Sequence, residues 1–282
     1  MFERLSNGWD LAKQSWRVLM LDKELLLFPL FSGIACLLVL ASFAVPLWST
    51  GYAETVMNEE APAQDVLSWV LLFCFYAVNY FVIVFFNSAL VSCAIIRFRG
   101  GDPTVSDGFR AAGKRLPVIL GWALLSATVG VILKAIESRS EKAGQIISSL
   151  LGLGWSIATY FVVPVLVVEN VGPVDAVKRS WAVIKKTWGE SIGANFGIGF
   201  ITFFCALACF VPIVGGGYLI SQGLAGAGAA AILLGFVGLM LVSLVSSALN
   251  SIILAALYLY AADHEVPEQF DDRMLRGAFA TK

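Results

Sequence analysis

Histidine occurs once in this 282-residue sequence, and charged side chains make up only 14% of it. A soluble globular domain carries about 25% charged residues, so long stretches of this chain are too poor in charge to face water. From Ser191 to Ala262 there is no Asp, Glu, Lys, Arg or His, and Val66–Ile96 is a second uncharged run. The lone histidine, His264, lies in Asp263-His264-Glu265 with no other imidazole to join it. That argues against a metal centre, which needs several ligands in fixed geometry, and against hydrolase schemes built on a histidine base. The sequence has no Gly-x-Ser-x-Gly elbow, metalloprotease helix, phosphate-binding loop or intramembrane aspartate pair. No catalytic residue, cofactor or metal is therefore expected. Five cysteines (Cys36, Cys74, Cys93, Cys205 and Cys209) all fall inside apolar runs. They read as small packing residues rather than as disulfides or metal ligands. Net charge is −1, and the basic residues sit in clusters beside apolar runs, a pattern that excludes a nucleic-acid footprint.

What the chain has is apolar length. Apolar residues make up 59% of it and mean hydropathy is +0.82. A membrane span needs roughly 20 apolar residues. Six segments qualify, near Leu25–Trp48, Val66–Ile96, Leu116–Ile136, Ile146–Val168, Ile192–Ile220 and Ala229–Ala262. Backbone polar groups find no water in hydrocarbon, so each segment is expected to be helical. The second, fifth and sixth are long enough to tilt or to project from the bilayer. The first 24 residues lack the apolar core and cleavage site of a signal peptide and read as mature protein.

Basic residues set the expected orientation. With six spans, sixteen Lys and Arg fall on the side of the two termini and three (Lys134, Arg139 and Lys142) on the other. Both termini are therefore expected in the cytoplasm. Lys134, at the outer end of the third span, can lift its ammonium to the headgroups.

Three cytoplasmic stretches resemble one another. Asn7-Gly8-Trp9-Asp10 is followed by Lys13, Thr104-Val105-Ser106-Asp107 by Arg110, and Gly172-Pro173-Val174-Asp175 by Lys178. Each reads as a helix start, with an N-cap residue, an acid at the positive end of the helix dipole, and a base three residues on. The first and third copies also share Ser-Trp at Ser15-Trp16 and Ser180-Trp181. The third places Val174, Val177, Trp181, Ile184 and Trp188 on one stripe, and the first places Leu5, Trp9, Ala12, Trp16 and Leu19. Phe86-Asn87-Ser88 and Leu249-Asn250-Ser251 echo each other inside the even spans. The expected architecture is an all-α membrane protein of six transmembrane helices. They form three hairpin repeats (about 4–100, 101–170 and 171–267, then a cytoplasmic tail, 268–282), each preceded by an amphipathic interfacial helix. Such repeats are related by an axis along the membrane normal.

Two sets of residues are candidate sites. Asn87, Asn195 and Asn250, with Asn79, are polar within spans. They serve as interhelical hydrogen-bonding groups or, where Asn87 and Asn250 converge, line a polar cavity. Ser243, Ser246, Ser247 and Ser251, with Ser88 and Ser92, give small faces for close helix approach. Gly215-Gly216-Gly217 after Pro212 is expected to end or loosen the fifth span. Trp16, Lys178, Arg179, Trp181, Lys185, Lys186 and Trp188 are candidate interfacial lipid contacts. Glu169 is placed to pair with Lys178 or Arg179.

The segment from Val163 to Trp181, with Glu169-Asn170, Gly172-Pro173 and Lys178-Arg179-Ser180-Trp181, resembles a hallmark of uncharacterised prokaryotic six-span membrane proteins. It is similar to the membrane domain attached to some glycerophosphodiester phosphodiesterases. The resemblance implies a prokaryotic cytoplasmic membrane and a lipid-related or accessory role. The catalytic phosphodiesterase domain has no counterpart here. The expected function is a non-enzymatic scaffold, partner subunit or lipid-interacting module. Its expected partners are membrane lipids, anionic ones in particular, and an unspecified membrane protein. The alternative is a transporter or channel for a small or lipidic solute along the repeat axis.

Overall fold

A computed structural model describes residues 2–51, 66–138, 143–186, 191–263, 265–267, 269–270 and 275, and among them all regular structure is helical. In chain order these are α1 (Phe2–Leu21), a short 3-10 helix (Lys23–Leu26), α2 (Leu27–Ser49), α3 (Val66–Phe98), α4 (Val105–Lys114), α5 (Leu116–Glu137), α6 (Ala143–Ala158), α7 (Val162–Val168), α8 (Pro173–Lys186), α9 (Ser191–Ser221) and α10 (Ala225–Asp263). Six stretches are long and apolar enough to cross a membrane: Lys23–Ser49, Val66–Phe98, Leu116–Glu137, Gly144–Val168, Ile201–Ser221 and Ala225–Ala262. The chain is a multi-pass membrane protein, with span boundaries close to those of the apolar runs. The 39 residues of α10 extend about 58 Å, nearly twice the roughly 30 Å hydrocarbon core.

The helices form two compact units. The first comprises Met1–Pro29, Ala94–Pro103 and Lys186–Lys282, and the second Leu30–Cys93 and Thr104–Lys185. In the first unit α1 packs on both α9 and α10, and α9 pairs with α10 along their length. The α9–α10 turn is tight because Gly223 adopts φ +83°, a conformation that costs glycine nothing. The Leu224 N–H then reaches back to Leu219 O (3.0 Å) and closes the end of α9. Gly100, at φ +78°, ends α3 in the same way, with the Gly101 N–H bonded to Ile96 O at 3.0 Å. Further along the hairpin the backbones touch. A Cβ on Gly216 would lie 2.5 Å from Gly228 O, and one on Gly235 2.8 Å from Cys209 O. Thr202 and Ser246 share a hydroxyl hydrogen bond across the pair (2.7 Å). The Gly215–Gly217 run does not end or loosen the fifth span: α9 runs unbroken through Pro212 to Ser221. Glycine here supplies close approach to α10, and that packing supports the helix.

In the second unit α5 and α6 pair, with Trp122 stacked on Trp155 (centroids 5.7 Å, planes 8° apart). At the head of α4 the Thr104 hydroxyl accepts the Asp107 N–H (3.2 Å), and the Asp107 carboxylate accepts the Thr104 N–H (3.1 Å). This reciprocal cap holds the Asp107 carboxyl below its ordinary range, chiefly through the Thr104 side chain, then its N–H, with Arg110 assisting. Phe109 of α4 rests against Phe85 and Phe86 of α3 (6.1 and 5.9 Å). The first copy departs from expectation. α1 begins by Phe2 rather than at Asn7, since Asn-Gly is a weak helix stop when turns on both sides are helical.

Burial is concentrated at one end of the spans. In α3 the fully buried residues include Ala89, Leu90 and Ala94, and in α10 Ile252, Ala255 and Leu257; α7 buries Phe161 at its head, Val165 and Leu166. These are the C-terminal segments of the even spans. The opposite ends expose large apolar side chains, among them Leu38, Trp48, Val66, Leu150 and Leu233. Such surface suits lipid rather than water. The close α9–α10 approach gives a test: Gly235→Ala is expected to lower stability by about 1–3 kcal/mol, read as thermal unfolding in detergent. An unchanged midpoint would show that the two backbones do not meet there.

Candidate functional site

The segment carrying Glu169-Asn170 and Lys178-Arg179-Ser180-Trp181 is an interlocked piece of the second unit. The fourth span is not one helix. It breaks at Thr159–Phe161 between α6 and α7. Thr159 and Tyr160 tie back to Trp155 O and Ile157 O, whereas the Phe161 N–H crosses to Ser180 Oγ on α8 (3.0 Å). Both residues are fully buried. A buried amide without a partner costs about 1–3 kcal/mol, so the Ser180 hydroxyl answers a need that the break creates.

The turn from α7 to α8 is fixed on several sides. Arg115, ahead of α5, donates to Val167 O (3.1 Å). The Glu169 carboxylate accepts from Arg179 Nε (2.6 Å). Asn170 takes the left-handed φ of +51°, which asparagine tolerates better than most residues. Pro173 opens α8 at its first position, where a missing N–H is harmless. Gly121 of α5 lies beneath it, since a Cβ there would come within 2.8 Å of Pro173 Cγ.

α8 turns Ala176, Ser180, Val183 and Ile184 inward and leaves Val174, Asp175, Lys178, Ala182 and Lys185 exposed. The apolar stripe expected along it divides: Ile184 is buried, Val177 and Trp181 half-buried, and Val174 exposed. Lys178 Nζ pairs with Asp175 (3.0 Å). Lys185 Nζ sits 5.4 Å from the Trp181 ring centroid, a cation–π distance. The Lys186 side chain and Trp188 lie outside the described residues. In α1, Leu11, Ala12, Ser15, Val18 and Leu19 are buried, while Trp9, Lys13, Trp16 and Arg17 are exposed.

The candidate asparagines fall in different units. Asn79 donates to Phe75 O of its own helix (2.9 Å). Asn87 is half-buried in the second unit, Asn250 is exposed in the first, and the Asn195 side chain lies outside the described residues. Among the serines, Ser92 and Ser251 bond the carbonyls of Ser88 and Ser247 one turn back (2.7 and 3.0 Å). Lys134 pairs with Glu137 at the end of α5 (3.2 Å). Among the described residues no three metal-ligating side chains come together, and His264 lies outside them.

A polar cluster in the first unit escaped sequence reading. Arg97, at the end of α3, binds Asp22 and Asp102. Gln269 Nε2 donates to Arg97 O (3.1 Å). Arg99 pairs with Glu265 (3.2 Å), and Phe98 meets Phe270 edge-on (5.6 Å). The cluster joins the start of the first span, the end of the second and the tail after the sixth. Only charge at span ends could have signalled it; the pairing spans 75 residues of sequence.

A model for a family of unknown function, DUF6159, matches residues 66–267. No curated protein matches the chain.

The Arg97 cluster yields a contrast. Asp22 is buried (side chain 6% exposed) and Asp102 is not (91%). Asp22→Ala is expected to cost about 1–3 kcal/mol, by leaving the half-buried Arg97 only its exposed partner Asp102, and Asp102→Ala less than about 1 kcal/mol. Thermal unfolding in detergent measures both, and equal losses would overturn the assignment.

Proposed function

We propose that this chain, which belongs to the DUF6159 family of unknown function, is a non-enzymatic module that holds anionic lipid at the membrane surface through its short polar helices. The observation that carries the reading is the outer side of α8. Lys178 and Lys185 are exposed there beside Val174 and the half-buried Trp181, with Lys185 drawn over the indole. Apolar and aromatic groups next to lysines suit the boundary between acyl chains and phosphates. Each lysine near an anionic surface contributes about 1 kcal/mol. Arg179 turns inward to Glu169 and acts as a brace rather than a lipid contact.

A threefold repeat supports the same reading. Counting from the aligned aspartates Asp10, Asp107 and Asp175, the next residue is Leu11, Gly108 or Ala176, and the fifth is Ser15, Ala112 or Ser180; all six are buried. Each helix also meets an even-numbered span: α1 packs on α10, α4 on α3 through Phe109, and α8 on the head of α7 through Ser180. Each copy is thus a short helix with a docked side, and α1 and α8 each carry an outward side suited to lipid. The excess of basic residues in the short helices and tails supports a cytoplasmic location for them and for both termini. The resemblance of the Glu169–Trp181 segment to prokaryotic membrane domains points to a prokaryotic cytoplasmic membrane.

The non-enzymatic part of the reading draws on how the polar groups of that segment are used. Glu169 and Ser180 are engaged with Arg179 and Phe161, in bonds that fix helices. A transporter or channel is the second reading. The broken fourth span favours it, because discontinuous helices form solute sites in many transporters.

Lipid co-purification tests the first reading. In nanodiscs of mixed phosphatidylglycerol and phosphatidylcholine, Lys178→Ala with Lys185→Ala is expected to weaken retention of phosphatidylglycerol roughly fivefold per lysine, measured by native mass spectrometry. Unchanged retention would contradict it.

A further inference from the structure

We infer that Ser180 is the positioning residue for the lipid-facing side of α8, an inference that rests on the lipid reading above. The argument begins at the break in the fourth span. Phe161 heads α7, is fully buried, and directs its N–H out of its own helix to Ser180 Oγ at 3.0 Å. Tyr160 packs edge-on against the Phe161 ring (4.7 Å), which steadies the donor. Water cannot replace the acceptor at a fully buried site, so the bond ties one rotational setting of α8 to one backbone atom of the span.

That setting decides what faces outward. With Ser180 turned in, Ala176, Val183 and Ile184 follow it, and Val174, Lys178 and Lys185 face out. Helical periodicity allows no small adjustment: turning α8 by one residue rotates every side chain by about 100°. The seat also needs a small side chain. Its counterparts, Ser15 of α1 and Ala112 of α4, are likewise 0% exposed. Among the described residues Ser15 Oγ has no hydrogen-bond partner, so the hydroxyl is not what the seat demands in general. It is what α8 in particular uses, because α8, unlike α1 and α4, meets a broken span.

The test uses the full chain in phosphatidylglycerol–phosphatidylcholine nanodiscs. Ser180→Ala removes the acceptor with almost no change in size; Ser180→Thr keeps the hydroxyl; Ser15→Ala removes the equivalent, unpartnered one. Hydrogen exchange across 159–163 reports the Phe161 amide, and native mass spectrometry reports phosphatidylglycerol retention. With Ser180→Ala, exchange is expected to rise roughly tenfold, the factor for one lost hydrogen bond of ordinary strength, and retention to fall toward that of the variant lacking Lys178 and Lys185. Ser180→Thr, which keeps the acceptor but adds a methyl to the seat, is expected to lose less of both than Ser180→Ala, and Ser15→Ala changes neither. Retention that survives Ser180→Ala, while the double-lysine variant loses it, overturns the positioning role alone. Retention that survives the double-lysine variant overturns the lipid reading and the positioning role with it.

Discussion

A backbone amide in hydrocarbon has no water to turn to, and this constraint organises the molecule from its spans to its surface helices. Uninterrupted helices satisfy it internally, which is why long apolar runs of unremarkable sequence become α3, α9 and α10. Where the ladder breaks, at Thr159–Phe161, the freed N–H has to find a side chain, and it finds Ser180. The partner helix is thereby drawn onto the end of the span. Its outward side, with two lysines and a tryptophan, is a consequence of that docking as much as of its own sequence.

The same physics places the core. The even spans bury their C-terminal segments, while the far ends stay apolar and exposed. Lipid solvates those far ends at no cost, so side chains there need not interdigitate. Near the short helices, polar backbone, turns and charges must all be reconciled, and the dense packing falls there. The two ionic arrangements follow this logic. Arg97 with Asp22 and Asp102, and Arg179 with Glu169, each tie a span end to a neighbouring segment.

Much of this was legible in the sequence because it depends on local composition. The span limits follow from runs of apolar residues. The cap at Thr104 follows from Thr-x-x-Asp, the start at Pro173 from proline's missing N–H, and the pairing of Glu169 from the nearby arginine. What was not legible depends on tertiary contact. Pro164, whose ring opposes the Tyr160 carbonyl one turn back, is the local mark of the break at Thr159–Phe161, but nothing local connects Phe161 with Ser180 or Asp22 with Arg97. The Gly215–Gly217 run misleads, because glycine both weakens a helix and lets one helix approach another, and only the neighbour decides which effect wins. The start at Asn7 fails for a related reason: a good N-cap is also a tolerable interior residue when flanking turns persist. Of the candidate site, residue identities were readable on α1 and α8. Their division into docked and outward sides was not, because the tryptophans that dominate the sequence pattern are not the residues that set the docking.

The central proposal is that α1, α4 and α8 are three copies of one surface device, all facing the same side of the membrane. Single cysteines placed at Lys13, Arg110 and Lys178 in a cysteine-free background, with one at Gln222 in the α9–α10 turn, test it directly. A membrane-impermeant maleimide applied to sealed, right-side-out cells or vesicles should label Gln222→Cys alone. The other three should react only after permeabilisation. Labelling of any one of the three from the same side as Gln222→Cys would contradict the claim.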